Sequence, residues 1–510
     1  MMLSMTADVS VVDERKSIRR VIAASSAGTL IEWYDFYIFG ALAAVLGSQF
    51  FPKDKGIAEI LSVLATFAVG FLVRPFGALV FGRMGDLVGR KVTFLLTLVM
   101  MGAATFAIGL LPSYAQIGWL APAILLVLRV VQGLALGGEY GGAATYVAEH
   151  SPPGERGYYT SFIQTTATLG LFVSLLVILS CRLGLGEAAF NQWGWRIPFL
   201  LSIVLVLISA RIRLKMQESP EFATLKAEGK TSTNPLRESF VNPENRRLVL
   251  LALFGATAGQ GVIWYTGQFY ALFFLTTVLK VDMVSANTVI AVALILGTPF
   301  FIVFGKLSDR IGRLKLMMLS CALAVLLYVP IYALKSSVVK SATGNVVAGT
   351  SSVRVDRSKD PVTQTEKAFR VETKTFESGA TEAIRTPVDP KNESEPIPDG
   401  KVTTEYHLPT ATLFLLGVLV FAQVILVTMV YGPIAAFLVE LFPTRIRYTS
   451  MSLPYHLGNG VFGGLVPLIS LWTVSATGQP LAGLAYPIVV ALITWIVGSR
   501  MLKPIEERAA

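Results

Sequence analysis

Two stretches decide the architecture: Gly82-Arg-Met-Gly-Asp86-Leu-Val-Gly89-Arg90-Lys91 and Gly305-Lys-Leu-Ser-Asp309-Arg-Ile-Gly312-Arg313. Both read G-x3-D-x2-G-R. Each lies between two apolar runs. A second matched pair follows in each half, Glu149-x2-Pro152-x3-Arg156 and Glu440-x2-Pro443-x3-Arg447. Two motifs repeated in the same order mark a duplicated unit. The spacing between them also locates an insertion. Gly82 and Glu149 are 67 residues apart, whereas Gly305 and Glu440 are 135 apart, an excess of 68 in the second half.

Working outward, apolar runs occupy roughly 21–49, 57–82, 92–111, 117–148, 158–181, 195–216, 248–278, 285–305, 314–334, 409–439, 447–473 and 480–502. Hydrophobic residues make up 53% of the 510-residue chain and charged residues only 15%. Soluble domains carry about a quarter charged residues, so a water-soluble globule is excluded. Each run has the length a bilayer demands, roughly 20 residues, and is too long for a barrel strand. The expected fold is an all-α membrane protein with twelve transmembrane helices in two pseudo-symmetric six-helix bundles. The first bundle is 21–216 and the second is 248–335 with 408–503. Residues 1–20 form an N-terminal segment, 217–247 a linker, 336–407 an insertion between helices 9 and 10, and 504–510 a tail. The run starting at Val21 exceeds a signal-peptide core and has no cleavage pattern behind it, so it reads as an uncleaved helix. Two cysteines, Cys181 and Cys321, exclude a disulfide scaffold and read as small core residues.

The net charge of +10 reads as loop bias rather than nucleic-acid binding. With the N-terminus inside, the inside connections hold 25 basic residues, while the short outside loops hold Lys53, Lys55, Arg182 and Lys280. Both termini are therefore expected in the cytoplasm, with the protein in the bacterial inner membrane. The insertion is rich in Ser, Thr, Lys, Glu and Pro. It is expected to be a disordered or weakly folded external appendage. Alternation near Val371–Phe376 leaves a small β-rich or partner-binding module as the other reading.

At this point the chain resembles a known family. The two halves and the doubled loop are similar to the major facilitator superfamily. Further stretches resemble its metabolite:proton symporter branch: Gly28-Thr-Leu-Ile-Glu32-Trp-Tyr-Asp35-Phe-Tyr37, Arg74-Pro75-Phe-Gly77, Arg129-Val-Val-Gln132-Gly133, Trp193-Gly-Trp195-Arg196-Ile-Pro198-Phe, Glu218-Ser-Pro220-Glu-Phe222, Gly261-Val-Ile-Trp264-Tyr265 and Arg447-Tyr-Thr-Ser-Met-Ser. The resemblance covers nearly the whole chain except 1–20 and 336–407. It implies uptake of a small polar metabolite driven by the proton gradient.

Five ionisable residues are singled out within the spans, away from the short loops: Glu32, Asp35, Arg74, Arg129 and Glu139. An unpaired charge in a bilayer costs several kcal/mol, so each needs a partner, water or a role. A carboxylate beside a guanidinium stays ionised, and takes a proton when the guanidinium is drawn away. Asp35 with Arg129 is the favoured proton-coupling pair. The sugar-porter branch, which has an Asp on helix one and an Arg on helix four at similar places, implies the same roles. Glu32 and Glu139 join them as proton-relay candidates, with structural pairing as the alternative. Arg74 is a gate, a structural partner or an anchor for an anionic substrate. Gln260, Trp264 and Gln268 form a helical stripe about 80° wide, with Tyr265 beside it. Together with Tyr34, Tyr37, Arg74, Gln132, Tyr455 and Asn459 they are the candidate substrate-binding groups. Trp33 is expected to pack, His456 to be a hydrogen-bonded packing residue, and Tyr431-Gly-Pro433 to be a kink. Gly82, Asp86, Arg90, Glu149, Arg156, Asp309, Arg313, Glu440 and Arg447 are read as a cytoplasmic gate: carboxylates on helix first turns and on arginines.

No G-x4-G-K-[S/T], H-E-x-x-H or C-x2-C pattern occurs, so no nucleotide, metal or other cofactor is expected. The chain is read as no enzyme. The expected protein is a monomeric proton symporter, whose partners are protons, the bilayer and one small carboxylate or zwitterion, an organic acid first. The alternatives are a betaine or proline symporter, favoured by aromatic groups that can cage a quaternary amine, and a solute sensor using 336–407.

Overall fold

The computed structural model describes residues 2–51, 66, 69–347, 350–359, 366–390, 392–397, 400 and 402–502. Residues 52–65, 67 and 68, which include part of the second predicted run, and the tail 504–510 lie outside the described residues.

The last glycine of each repeated motif sets a reversal. Gly89 has φ 140° and Gly312 has φ 96°, a region that a side chain disfavours, and each ends one helix and starts the next. Helices α1 (Met2–Ala41), α2 (Ala43–Phe50), α3 (Arg74–Leu87), α4 (Arg90–Leu110), α5 (Leu120–His150), α6 (Arg156–Leu185) and α7 (Arg196–Leu214) build the first half. The second holds α8 (Pro243–Val278), α9 (Met283–Ile311), α10 (Arg313–Ala342), α11 (Thr410–Leu441), α12 (Thr444–Thr477) and α13 (Ala482–Met501). Among the described residues ten helices, α4 to α13, are long and apolar enough to cross a membrane. Two seams join the halves: α3 packs on α12, and α6 packs on α9. The motif loops share one end of the molecule.

Two long helices depart from regular α geometry. α8 contains π turns at Leu253–Thr257, Thr266–Tyr270 and Phe274–Val278, and α12 contains one at Leu457–Gly463. Such turns widen the hydrogen-bond ladder and recur at functional sites.

The insertion corrects two expectations. It is not a disordered or weakly folded appendage, and the fold is not purely α. Strands β1 (Ser352–Lys359), β2 (Glu366–Thr375), β3 (Thr381–Asp389), β4 (Asn392–Pro396) and β5 (Thr403–His407) form an antiparallel sheet ordered β1-β2-β3-β4, with β5 also on β3. The sheet docks on the end opposite the motifs. Tyr406 N–H donates to Lys280 O at 2.7 Å, and Asp282 N–H donates to Tyr406 O at 3.0 Å. Phe376 and Ala380 share a core with Ala271, Leu275 and Val281 of the second half. The segment is poor in apolar residues because helix ends supply much of its core.

Two buried charges are missing from the sequence-based set of intramembrane ionisable residues. Arg213, near the end of the run 195–216, is 1% exposed, and Lys335, the residue after the run 314–334, is 0% exposed.

Candidate functional site

A cavity lies between the halves, lined from α1 by Thr29, Glu32 and Trp33, from α3 by Arg74, and from α5 by Leu136 and Tyr140. The second half contributes Trp264 and Tyr265 of α8, Tyr431 of α11, and Tyr455, His456, Asn459 and Gly460 of α12. Its volume is only about 30 Å³, room for one to three waters. Both faces are therefore drawn in around a small polar centre.

The polar atoms in this centre are under-used. Arg74 lies over the rings of Phe36 and Phe71, at 4.9 and 4.2 Å, yet its Nε and Nη2 have no hydrogen-bond partner. Glu32 Oε2 and His456 Nε2 have none either. Each unsatisfied buried group costs about 1–3 kcal/mol, and a polar ligand would relieve several at once. Aromatic rings form the walls. Trp33 and Trp264 are 6.3 Å apart, Tyr140 stacks on Tyr455, and the Tyr431 and Tyr455 hydroxyls are 2.7 Å apart. Asn459 and Gln260 exchange two amide hydrogen bonds of 2.9 and 3.0 Å, which fixes the Asn459 side chain at the cavity edge.

Sequence reasoning placed Glu32, Arg74, Trp264, Tyr265, Tyr455 and Asn459 at the site, and the fold brings them together. It did not place Tyr140, Tyr431, Trp33 or His456 there. Trp33 and His456 line the cavity instead of serving only as packing. Tyr34 points the other way: it is buried and its hydroxyl donates to Pro198 O at 2.8 Å. Tyr37 stacks on Trp33 at 5.7 Å without lining the cavity. Gln132 and Gln268 do not line it.

Nor do Asp35 and Arg129 form an ion pair. Arg129 Nη1 donates to Gln132 Oε1 at 2.9 Å, and Gln132 Nε2 donates to Thr105 Oγ1 at 2.7 Å. Asp35 is fully buried with Thr105 beside it, but neither carboxylate oxygen accepts a well-formed hydrogen bond. Thr105 and Gln132 thus separate the two charges. Glu139 is bound elsewhere: Arg213 Nη2 pairs with Glu139 Oε1 at 2.5 Å, and Thr97 Oγ1 donates to Oε2 at 2.7 Å. No sequence signal beyond its basic side chain picks out Arg213.

The end carrying the motifs is shut. Asp86 accepts from Tyr448 N–H and Thr449 N–H at 3.3 and 2.8 Å and pairs with Arg90 at 3.0 Å. Gly82 permits the contact, since a Cβ there would lie 2.8 Å from Thr449 Cα. Arg90 lies 3.6 Å from Glu149, which pairs with Arg447 at 2.8 Å. Across the other seam, Asp309 accepts from Gly157 N–H and Tyr158 N–H at 2.8 Å each. Arg313 bridges Asp309 and Glu440 at 3.0 and 2.8 Å. Arg156 pairs with Glu221 and lies 3.9 Å from Glu440. The linker residue Glu221 also pairs with Arg447 at 2.6 Å, a contact the sequence reading does not assign.

Two repeated helical halves, a polar cavity between them and a charged closure at one end define a membrane transporter rather than an enzyme. Comparison with known proteins narrows the class. The profile of the Major Facilitator Superfamily matches residues 25–352. The Inner membrane metabolite transport protein YhjE of Escherichia coli is 31% identical over 487 residues, with 94% of each chain covered. The Proline/betaine transporter of Escherichia coli is 28% identical, covering 97% of this chain and 85% of that one. The proton:xylose symporter XylE has the same fold, with TM-score 0.68 at 15% identity over 96% of this chain and 97% of its own. The chain belongs to the major facilitator superfamily.

Proposed function

We propose that the protein is a monomeric proton symporter of the bacterial inner membrane that imports a small carboxylate-bearing metabolite, with a zwitterion favoured. Twelve spans would place the motif end and both termini in the cytoplasm. The observation that carries this reading is the pairing, in one cavity, of Arg74 and Glu32, whose Nη2 and Oε2 have no partner, within aromatic walls. A guanidinium suits a carboxylate. Glu32 and the rings suit a cationic amine. An organic acid without a cation would leave Glu32 unmatched, which is why the zwitterion ranks above it. The relatives named for metabolite and for proline/betaine transport support the substrate range, and XylE supports proton coupling.

Asp35 would carry the proton. While ionised it attracts Arg129 across Thr105 and Gln132. Once protonated it no longer does, and the α1–α4–α5 contact relaxes. That change would be passed to the two seams, whose motif-end bonds must break for cargo to leave. Glu32 would serve both proton and substrate, whereas Glu139, tied to Arg213, would hold α5 to α7. The test is uptake into proteoliposomes under an imposed pH gradient with a panel of betaines, amino acids and carboxylates. We expect uphill accumulation of a zwitterion, lost in Asp35→Asn and weakened in Arg74→Gln. No gradient-driven accumulation of any member, with protein inserted and stable, would overturn the reading.

A further inference from the structure

A second, larger cavity of about 880 Å³ lies apart from the central one, where α1, α6 and α9 meet. Its apolar part is formed by Ile22, Leu30, Phe162 and Leu169, and its rim by Lys306 and Arg310. Ala23, Leu169, Lys306 and Arg310 of its lining are exposed, and none of its lining residues lines the central cavity. The groove therefore opens on the outer surface, apart from the transport site. Along α6 it runs from Tyr158 to Leu169, about 16 Å at 1.5 Å per residue. That is roughly half the hydrocarbon thickness of a bilayer. One end is cationic and the other apolar.

The charge at the rim is available. Lys306 and Arg310 are exposed, and Lys306 Nζ lies 5.8 Å from the Tyr158 ring centroid. The adjacent carboxylate, Asp309, is committed to Gly157 and Tyr158 N–H and to Arg313. Glu155 at the mouth is the one other acid in the lining. Ser26 Oγ, also in the lining, has no hydrogen-bond partner.

We propose that this groove binds one anionic phospholipid, with its phosphate on Lys306 and Arg310 and an acyl chain between Leu30, Phe162 and Leu169. Because α1 and α6 belong to the first half and α9 to the second, the lipid would bridge the seam beside the Asp309 contacts. It would favour the conformation closed at the motif end. The site is independent of the solute transported, so its test does not depend on uptake.

The full chain in phosphatidylcholine nanodiscs doped with phosphatidylglycerol provides the test, read by native mass spectrometry and by the thermal midpoint. We expect one retained phosphatidylglycerol and a raised midpoint. Lys306→Gln/Arg310→Gln should weaken retention about 30-fold, since each basic residue near an anionic surface contributes about fivefold. Ala27→Trp, which fills the slot and leaves the charge, should weaken it too. Arg211→Gln/Lys215→Gln, exposed cations outside the groove, should retain the lipid. Undiminished retention in both groove variants, equal loss in the control pair, or the same midpoint rise with free glycerol phosphate would each overturn the proposal.

Discussion

Asp86 on α3 and Asp309 on α9 hold matching positions in the two repeats, and each reaches across a seam to the first turn of a facing helix. The surroundings differ. The Asp86 and Arg90 side chains are both 0% exposed. Arg90 donates to Gly85 O and Thr444 O at 2.6 Å each and lies over the Phe222 ring at 4.4 Å. Arg313, its counterpart, is 15% exposed and touches only two carboxylates, Asp309 and Glu440, among the described residues. The linker explains the imbalance. It follows α7 and passes beneath the first repeat's loop, where Glu218 accepts from Arg90 N–H at 3.1 Å and Glu221 reaches Arg447. The chain has one such linker, and it reaches the second latch only through the partly exposed Arg156–Glu221 pair. Bonds shielded from water are stronger, and a broken one leaves a stranded charge. The first latch is therefore read as the main lock and the second as a lighter catch.

The most direct way to break this comparison is Asp86→Ala. It strands two backbone N–H groups and one partner of a buried arginine. We expect a cost of about 3–5 kcal/mol to the motif-closed state, enough to reverse an equilibrium that favours it by a hundredfold. Maleimide labelling of Ser450→Cys, which is buried on α12 beside Thr449 and against Ser239 of the linker, in a Cys181→Ser/Cys321→Ser background reads the opening. Unchanged labelling would show that the buried latch does not hold the closed state. Glu221→Gln comes next. It removes the linker's charge from Arg447 and Arg156 but leaves Glu149 on Arg447, so about 1–3 kcal/mol is expected. Asp309→Ala should cost about 1 kcal/mol, because its site is wetter and its N–H groups can turn to water. If Asp309→Ala opens the protein as far as Asp86→Ala does, the asymmetry between the latches is wrong.

Sequence could foresee much of the latch because a repeated motif fixes spacing. Gly-x3-Asp puts the carboxylate one turn past a close helix contact, and a glycine three residues later turns the chain back. No partner needs to be known for that. The central cavity is different. Trp33 and Tyr34 are neighbours on α1, about 100° apart, and only the packing of α1 against α7 decides that Tyr34 meets Pro198 while Trp33 meets Trp264. Arg213 and Lys335, at the ends of their runs, likewise escape recognition as buried charges. Hydropathy ends a span where a charge appears, whereas Glu139 and Gln423 on neighbouring helices keep those two charges inside. Asp35 and Arg129 sit on the elements expected of them, but the intervening Thr105 and Gln132 lie outside any local motif. Repeat spacing locates the insertion, and alternation near Val371–Phe376 leaves a β-rich module as its second reading. The full sheet is hidden because small residues such as Ala368 and Ala383 fill its buried face.

The finest test sets Glu149 against Glu440, the matched acids of the second motif pair. The Glu149 side chain is 0% exposed, accepts from Ser219 Oγ and lies between Arg90 and Arg447. The Glu440 side chain is 11% exposed and pairs with Arg313 at 2.8 Å. Salt screens accessible charges over about 10 Å at 0.1 M and about 3 Å at 1 M, but reaches enclosed pairs poorly. Glu440→Gln should therefore shift the Ser450→Cys labelling rate by less than about fivefold, equivalent to under ~1 kcal/mol, and the shift should fade as salt rises from 0.1 to 1 M. Glu149→Gln should shift it more and by the same factor at every salt concentration, because no counter-ion can take the carboxylate's place between two buried guanidinium groups. Identical salt profiles for the two variants would mean that solvent reaches both seams alike, and burial could not then be what separates the lock from the catch.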